Sequence, residues 1–389
     1  KKGSLLDCID KTHTSSGARL LANRLSAPAT DAKIINYRLD GVTYFFGDDR
    51  VREEVRNILK VTPDLQRALS RLSVERGGPR DLMAVCNGLQ AADSLSNYLS
   101  QSEHELSKLP PILIDNLQQL GSFEALLELL LSALAEDLPM FARDGGFIKL
   151  GYHIELDRLR ALRDERRVLI AALQKRYAED SGISSIKIKH NNVLGYFVEV
   201  TSLHAQKLFG HDTFIHRQTM TNATRFTTLE LKELERDISQ AADRALALEQ
   251  ECFSELRNAV INLIDPISQT ASSMSELDVS SGLAELAIER DYVRPIIDAS
   301  LDFDIVDGRH PVVEVEMYDG SDFVSNNCDL DSNQRLWLIT GPNMAGKSTF
   351  LRQNALIAIL AQMGSYVPAS SARIGVIDRL FSRVGAADD

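Results

Sequence analysis

By the spacing of its apolar residues the chain changes character three times. Residues 1 to about 152 repeat apolar side chains at helical intervals, as in Val51 to Leu59 and Phe123 to Leu134, punctuated by Pro28, Pro63, Pro79, Pro110, Pro111 and Pro139. No proline follows until Pro266, so the residues from 140 to 265 lack the strongest helix breaker. Two long helices are predicted there, from about His153 to Ala178 and from about Leu229 to Ile264. In the second, Leu231, Leu234, Ile238, Ala241, Ala245, Leu248 and Cys252 recur at alternating steps of three and four, the seam of a coiled coil. Thr227 and Glu230 are predicted to form a capping box at its start. At 1.5 Å per residue such helices extend roughly 40 to 55 Å, which predicts an arm.

Between them the period shortens to two. Ile186 to His190 and Tyr196 to Val200 alternate apolar and polar side chains as half-buried strands do, with Asn191 to Gly195 as their connection. A small β-unit over 182–227 is therefore expected at the tip of the arm. From Arg294 short apolar strands alternate with loops and a helix, as in an α/β domain. No internal repeat is evident.

Composition refines this picture. A chain of 389 residues is long enough for two or three cores. No apolar run approaches the length that spans a bilayer, so no membrane role is expected. Cys8, Cys86, Cys252 and Cys328 lie far apart with no Cys-x-x-Cys pair, which suggests free thiols in a reducing cytoplasm. The chain opens on Lys1 rather than Met and closes about 95 residues into its last segment, so the natural protein is expected to continue past both ends.

The net charge of −12 argues globally against a nucleic-acid binder. Its distribution changes that: over 182–227, Lys187, Lys189, Lys207, Arg217 and Arg225 oppose only Glu199 and Asp212, a local excess of +3. His190, His204, His211 and His216 lie in the same stretch. A solvated sheet surface and a DNA contact explain this excess equally well from sequence alone.

The most specific chemistry lies at Gly341-Pro342-Asn343-Met344-Ala345-Gly346-Lys347-Ser348, which fits G-x-x-x-x-G-K-[ST]. A strand at Leu336 to Thr340 and a helix from Thr349 to Met363 are predicted on either side. Glycines let backbone amides crowd around phosphate oxygens, and the helix amino terminus adds a favourable dipole. Lys347 is expected to neutralise the β- and γ-phosphates of ATP or GTP and Ser348 to ligate Mg²⁺. Turnover also needs an acidic group at a neighbouring strand end. After Ser348 the carboxylates are Asp378, Asp388 and Asp389, none behind a run of four apolar strand residues, so this chain alone is expected not to hydrolyse ATP.

Thr340 to Thr349, with Asn-Met inside the loop, resembles the phosphate-binding loop of the MutS family. Asp307-Gly308-Arg309-His310-Pro311-Val312-Val313-Glu314 resembles the stretch before it, and Gly364 to Ala369 with Ile377 to Asp389 the stretch after it. Gly3 to Leu6, Gly17 to Leu21 and Asp144 to Ile148 are similar to the helical core and its approach to a lever. The resemblance implies a multi-domain, mainly α chain: a discontinuous helical core and lever domain with long coiled-coil-like helices, an inserted small β clamp, and the first part of an α/β P-loop, ABC-like ATPase domain. The boundaries are 1–152 for the first core part, 153–181 for the ascending lever helix and 182–227 for the clamp. The descending helix with the second core part takes 228–293, and the ATPase part 294–389.

By that resemblance Phe323 stacks on adenine and Thr349 joins the loop in binding ATP. Asn191, Arg217, Gln218, Thr219 and Asn222 match the region that grips the DNA backbone, to which the charge pattern adds Lys187, Lys189 and Arg225. Thr221 stands where relatives often have lysine, which weakens that local contact. Arg309 and His310 read as structural or nucleotide-proximal. The family's mismatch reader, a Phe-x-Glu motif in an amino-terminal domain, is expected to be absent from this chain, and the connector, second acidic motif and carboxy-terminal dimerisation helices are likewise unmatched.

The function implied is that of a cytoplasmic, nucleoid-associated, homodimeric mismatch-repair clamp using ATP and Mg²⁺. It acts on double-stranded DNA containing mismatches and recruits a MutL-type partner. Three alternatives stand beside it: another coiled-coil P-loop ATPase of the chromosome-structural or transporter kind, a MutS-related junction-binding recombination protein, and a purely structural helical arm.

Overall fold

The computed structural model describes residues 3–101, 109–191, 193–317, 323–342 and 346–382. The first helices are α1 (Leu5–Ile9), α2 (Ser15–Ser26), α3 (Ala32–Gly47), α4 (Asp49–Lys60), α5 (Leu65–Ser73), α6 (Pro79–Gln101), α7 (Pro111–Leu120) and α8 (Glu124–Ala133). Then come α9 (Ile154–Ser181), β1 (Lys187–Asn191), β2 (Gly195–Thr201), α10 (Ser202–Phe209), β3 (Ile215–Thr219), β4 (Ala223–Thr227) and α11 (Leu229–Ile261). The last elements are α12 (Ile264–Arg290), β5 (Ile296–Asp298), β6 (Phe303–Gly308), α13 (Val313–Glu316), β7 (Asn326–Leu330), α14 (Lys347–Met363) and β8 (Ser371–Gly375).

Two compact units result, one of Lys1–Glu75, Met83–Leu127 and Val260–Asp389, the other of Arg76–Leu82 and Glu128–Ala259. Drawn by compactness alone, the division falls near 128 and 260, with Arg76–Leu82 joining the second unit. Residues 128–152 go with the long helices because α11 holds their loop, as described below.

In the first unit α12 is the central helix, buried on nearly every side and packed against α2, α3, α4 and α7. Helix α11 was expected to run to Ile264, but it stops at Ile261 and α12 starts afresh. Pro266 explains the restart, since its missing N–H is harmless only in a first turn. Ser273 and Thr270 donate to the carbonyls of Asn116 at 2.7 Å and Leu120 at 3.0 Å, so small polar side chains are satisfied where bulky ones would hold the helices apart. Asp278 is fully buried and accepts from the amides of His13 and Thr14 at 2.9 and 2.8 Å and from the Thr14 hydroxyl at 2.6 Å. It thereby anchors the turn that starts α2, and the close approach leaves no space for a side chain at Gly17.

The same unit carries a four-stranded sheet in the order β5-β8-β6-β7, with β5 parallel to β8 and β6 antiparallel to both its neighbours. The strand predicted at Leu336 to Thr340 does not form. It has no ladder partner among the described residues, and Leu336 and Leu338 stand 83% and 89% exposed. A strand exists only when its amides and carbonyls are paired, so apolar alternation alone does not make one.

In the second unit the long helices meet at two places. At one, Ile170, Leu173 and Tyr177 of α9 join Leu231, Leu234 and Ile238 of α11 in a core that also takes Val198, Val200, Leu208, Phe214 and Phe226 from the β-unit. The cap of α11 is Thr228 rather than Thr227: its hydroxyl accepts from the Leu231 amide at 3.0 Å and bonds the Tyr177 hydroxyl at 2.6 Å, while Thr227 ends β4. At the other place the predicted seam shifts. The buried residue is Glu249, with Leu248 only half-buried, and apolar burial resumes at Cys252, Leu256 and Val260.

The Glu249 carboxylate accepts from the amides of Gly146 at 2.8 Å and Ile148 at 3.3 Å and from Arg160 Nη2 of α9 at 2.5 Å. Arg160 also donates to the Ile148 carbonyl at 3.0 Å. Gly145 is required here: its φ is +67°, and a Cβ would lie 2.8 Å from Glu249 Oε2. One carboxylate therefore joins both long helices and the Asp144 to Ile148 turn. The sheet order is β1-β2-β4-β3, all antiparallel.

Candidate nucleotide pocket and nucleic-acid interface

The phosphate-loop residues open onto a cavity of about 730 Å³. Gly341, Pro342, Gly346, Lys347 and Thr349 line it, and Phe323, Trp337 and Phe350 add aromatic surface. Gly346 has φ +88° immediately before α14, a conformation that lets the chain turn into the helix and leaves its face open. Lys347 is the first helical residue; its Nζ donates to the Pro342 carbonyl at 2.9 Å and to that of Gly341. The ammonium is thus folded over the loop, a cation held by dipoles and free of any carboxylate partner among the described residues. Ser348 is exposed at the next position and outside the cavity lining, while Asn343, Met344 and Ala345 lie outside the described residues.

Several lining residues were not assigned to the site from sequence, among them Trp337, Phe350, Asn326 and Asn327. Trp337 and Phe350 stack with their rings 6° from parallel and centroids 6.2 Å apart, and the indole N–H is buried without a partner. The available signal was that the chain's single tryptophan stands four residues before Gly341.

Arg309 and His310 are structural. Arg309 pairs with Glu314 at 3.0 Å and donates to the Arg290 and Asp291 carbonyls at 2.6 and 3.1 Å, closing the end of α12. His310 accepts from the Val312 and Val313 amides at 3.3 and 3.2 Å through Nδ1, and burial pushes its pKa down, so it is a neutral acceptor in a turn. The Gly364 to Ala369 stretch is equally architectural. Gly364 ends α14 with φ +91°, and Val367 exchanges two 2.9 Å backbone bonds with Val293.

In the β-unit, register brings Lys187, Glu199, Arg225 and Gln218 into one row across four strands, on the face opposite Val198 and Phe226. Lys189 shares that face and bonds Glu199 at 2.6 Å; Arg225 Nε bonds the other Glu199 oxygen at 3.2 Å, and Arg225 Nη1 donates to Gln218 at 3.1 Å. The Arg225 guanidinium also lies over Phe197, 4.5 Å from its centroid. Arg217 is the extra residue of a bulge between His216 and Gln218, exposed and without an ion-pair partner among the described residues.

The remaining DNA candidates are arranged less uniformly. Asn191 uses its amide oxygen to accept from Val193 and Leu194 at 3.0 and 2.7 Å, which fixes the hairpin turn. Thr219 pairs opposite Thr224 on the other face and bonds His216 at 2.9 Å. Asn222 and Thr221 are exposed in the turn between β3 and β4. The letters Phe-x-Glu occur at Phe197-Val198-Glu199 and Phe253-Ser254-Glu255, but Phe197 is buried beneath Arg225 and Phe253 packs edge-on against Phe147. Neither is a free aromatic wedge.

Among the described residues no cluster of His, Cys, Asp or Glu is arranged to hold a metal, and no helix is long and apolar enough to cross a membrane. All four cysteines are free thiols. The MutS domain III profile matches residues 1–284, and that of MutS domain V matches residues 337–389. The chain is 53% identical over 400 residues to the DNA mismatch repair protein MutS of Rhodopseudomonas palustris, covering 100% of this chain and 44% of that protein. It is 51% identical over 394 residues to the protein of the same name from Dinoroseobacter shibae, again 100% of this chain and 44% of the relative. The chain thus spans about 44% of the length of these curated relatives.

Proposed function

The chain belongs to the MutS family, and from that premise we propose that it supplies the DNA-gripping and ATP-binding parts of a mismatch-repair ATPase. The observation that carries this reading is the convergence of Gly341, Gly346, Lys347 and Phe323 on one cavity. ATP is the ligand it suits. Lys347 exchanges its loop carbonyls for phosphate oxygens, amides at the start of α14 face the same anion, and Phe323 meets the adenine ring. The exposed Ser348 hydroxyl is a hard oxygen donor of the kind Mg²⁺ takes alongside water and phosphate; bound there, the ion neutralises phosphate charge.

Turnover also needs an acidic group at a neighbouring strand end, so this chain alone is expected to bind ATP without hydrolysing it. In the whole protein, hydrolysis is DNA-dependent. Two copies encircle mismatched duplex DNA in the cytoplasm with their β-units against the backbone, and nucleotide state sets clamp opening through α9 and α11, with a MutL-type protein recruited afterwards. Such coupling requires ATP to favour one clamp state over the other.

Two measurements test the parts. Trp337 lines the pocket and is the chain's single tryptophan, so titrating ATP is expected to change its fluorescence saturably; an unchanged spectrum at millimolar nucleotide counts against ATP binding in this cavity. The double variant Arg217→Ala and Arg225→Ala is expected to weaken duplex binding and to flatten the dependence of log K on log salt by about one to two. Identical affinity and slope favour a purely structural β-tip.

A further inference from the structure

The cations of the β-unit are not equivalent. Lys187 and Arg217 are exposed with no ion-pair partner among the described residues, whereas Lys189 and Arg225 are both bound to Glu199. That carboxylate sits near the centre of the row, on the same face as the cations it holds, with its side chain 18% exposed. The Lys189 ammonium and the Arg225 guanidinium hold its pKa below the usual carboxylate range against the opposing effect of burial. Arg225 is the more committed: Glu199, Gln218 and the Phe197 ring occupy its Nε, its Nη1 and one face.

A phosphate arriving at this face therefore meets a carboxylate already occupying the donors it needs. We propose that Glu199 is an internal competitor for DNA phosphate, holding Lys189 and Arg225 in the free protein and keeping duplex affinity low. The inference rests on the reading that this face meets DNA. Charge-assisted donors released from a carboxylate gain a phosphate only by leaving an equally charged acceptor, so the exchange adds little affinity. Lys187 and Arg217 incur no such loss, and they carry the grip. A weak hold suits a protein whose β-unit contacts backbone rather than sequence, because it permits movement along the duplex.

The test is duplex binding by the full chain, followed by anisotropy over a range of salt concentrations. Glu199→Gln keeps the size and hydrogen-bonding oxygen but removes the charge. It is expected to bind about five- to tenfold more tightly near 0.1 M salt, with a salt slope steeper by about one. Lys189→Ala is expected to weaken binding more in the Glu199→Gln background than in the native one. Equal or weaker binding by a Glu199→Gln chain that keeps its native circular dichroism overturns the proposal.

Should that variant lose the sheet, ¹⁵N-arginine spectra of the unsubstituted chain decide. The Arg225 Nε–H signal is expected to shift when duplex is added, and a stationary signal in a chain saturated with duplex overturns the exchange. Arg217→Ala separates this failure from failure of the underlying reading. If it changes neither affinity nor slope, the face does not meet DNA; if it lowers both while Glu199→Gln fails to raise them, only the competitor role is lost.

Discussion

Lys347→Ala is expected to weaken ATP binding at least about 100-fold, measured by calorimetry and by the Trp337 signal. Among the described residues the ammonium reaches only carbonyls of its own loop, so no ion pair among them is lost with it. What it is expected to supply to a triphosphate is a cation beside the backbone amides at the start of α14. A hydrogen bond to a charged group contributes about 1.5 to 3 kcal/mol, and two such bonds to phosphate oxygens amount to roughly two to four decades of affinity. Stability is expected to change by no more than about 0.5 kcal/mol, since the side chain is not part of a core. An alanine variant that binds ATP as tightly as the native chain removes Gly341 to Ser348 from consideration as a nucleotide site.

Glu249→Ala is expected to produce the largest loss of stability, about 3 to 5 kcal/mol, confined to the unit that contains α9 and α11. The side chain of Glu249 is 5% exposed and that of Arg160 19%, so removing the carboxylate leaves a largely buried guanidinium with only the longer Asp157 pair at 3.7 Å. It also leaves the amides of Gly146 and Ile148 without acceptors. Glu249→Gln retains an acceptor and is expected to cost roughly half as much. With two units the chain does not unfold in one step, so the informative measurement is amide exchange at Gly146 and Ile148 together with a urea transition. Exchange at those amides unaltered in the alanine variant, with the unfolding free energy from the urea transition changed by less than about 1 kcal/mol, removes Glu249 as the joint between the helices.

The two substitutions probe opposite ends of the proposed coupling. Lys347 is the proposed nucleotide contact, whereas Glu249 bonds the Asp144 to Ile148 turn and Arg160 of α9. If the helices transmit nucleotide state, Glu249→Gln is expected to reduce the effect of ATP on duplex affinity more than it reduces the affinity for ATP itself. Equal losses indicate a general destabilisation.

The chain's sequence alone determined where long helices run, where the period falls to two, and where glycines and a lysine take the spacing expected of a phosphate loop. Each of those features is local: a proline-free span, an alternation, or a fixed spacing leaves its mark within a few residues of itself. Only the tertiary structure decided the rest. Leu336 to Thr340 has strand spacing but no ladder partner among the described residues, so it stays irregular. Helix α12 is surrounded on nearly all sides, and its serines and threonine lack the one-sided apolar stripe by which a helix is recognised in sequence. Glu249 was invisible because a charge within a seam is tolerated only when donors far away in sequence converge on it; Gly146 is 103 residues away. The same holds for charge. Counting residues put +3 on the β-unit, but pairing across strands divides its cations into those held by Glu199 and those with no ion-pair partner among the described residues, and that division depends on register.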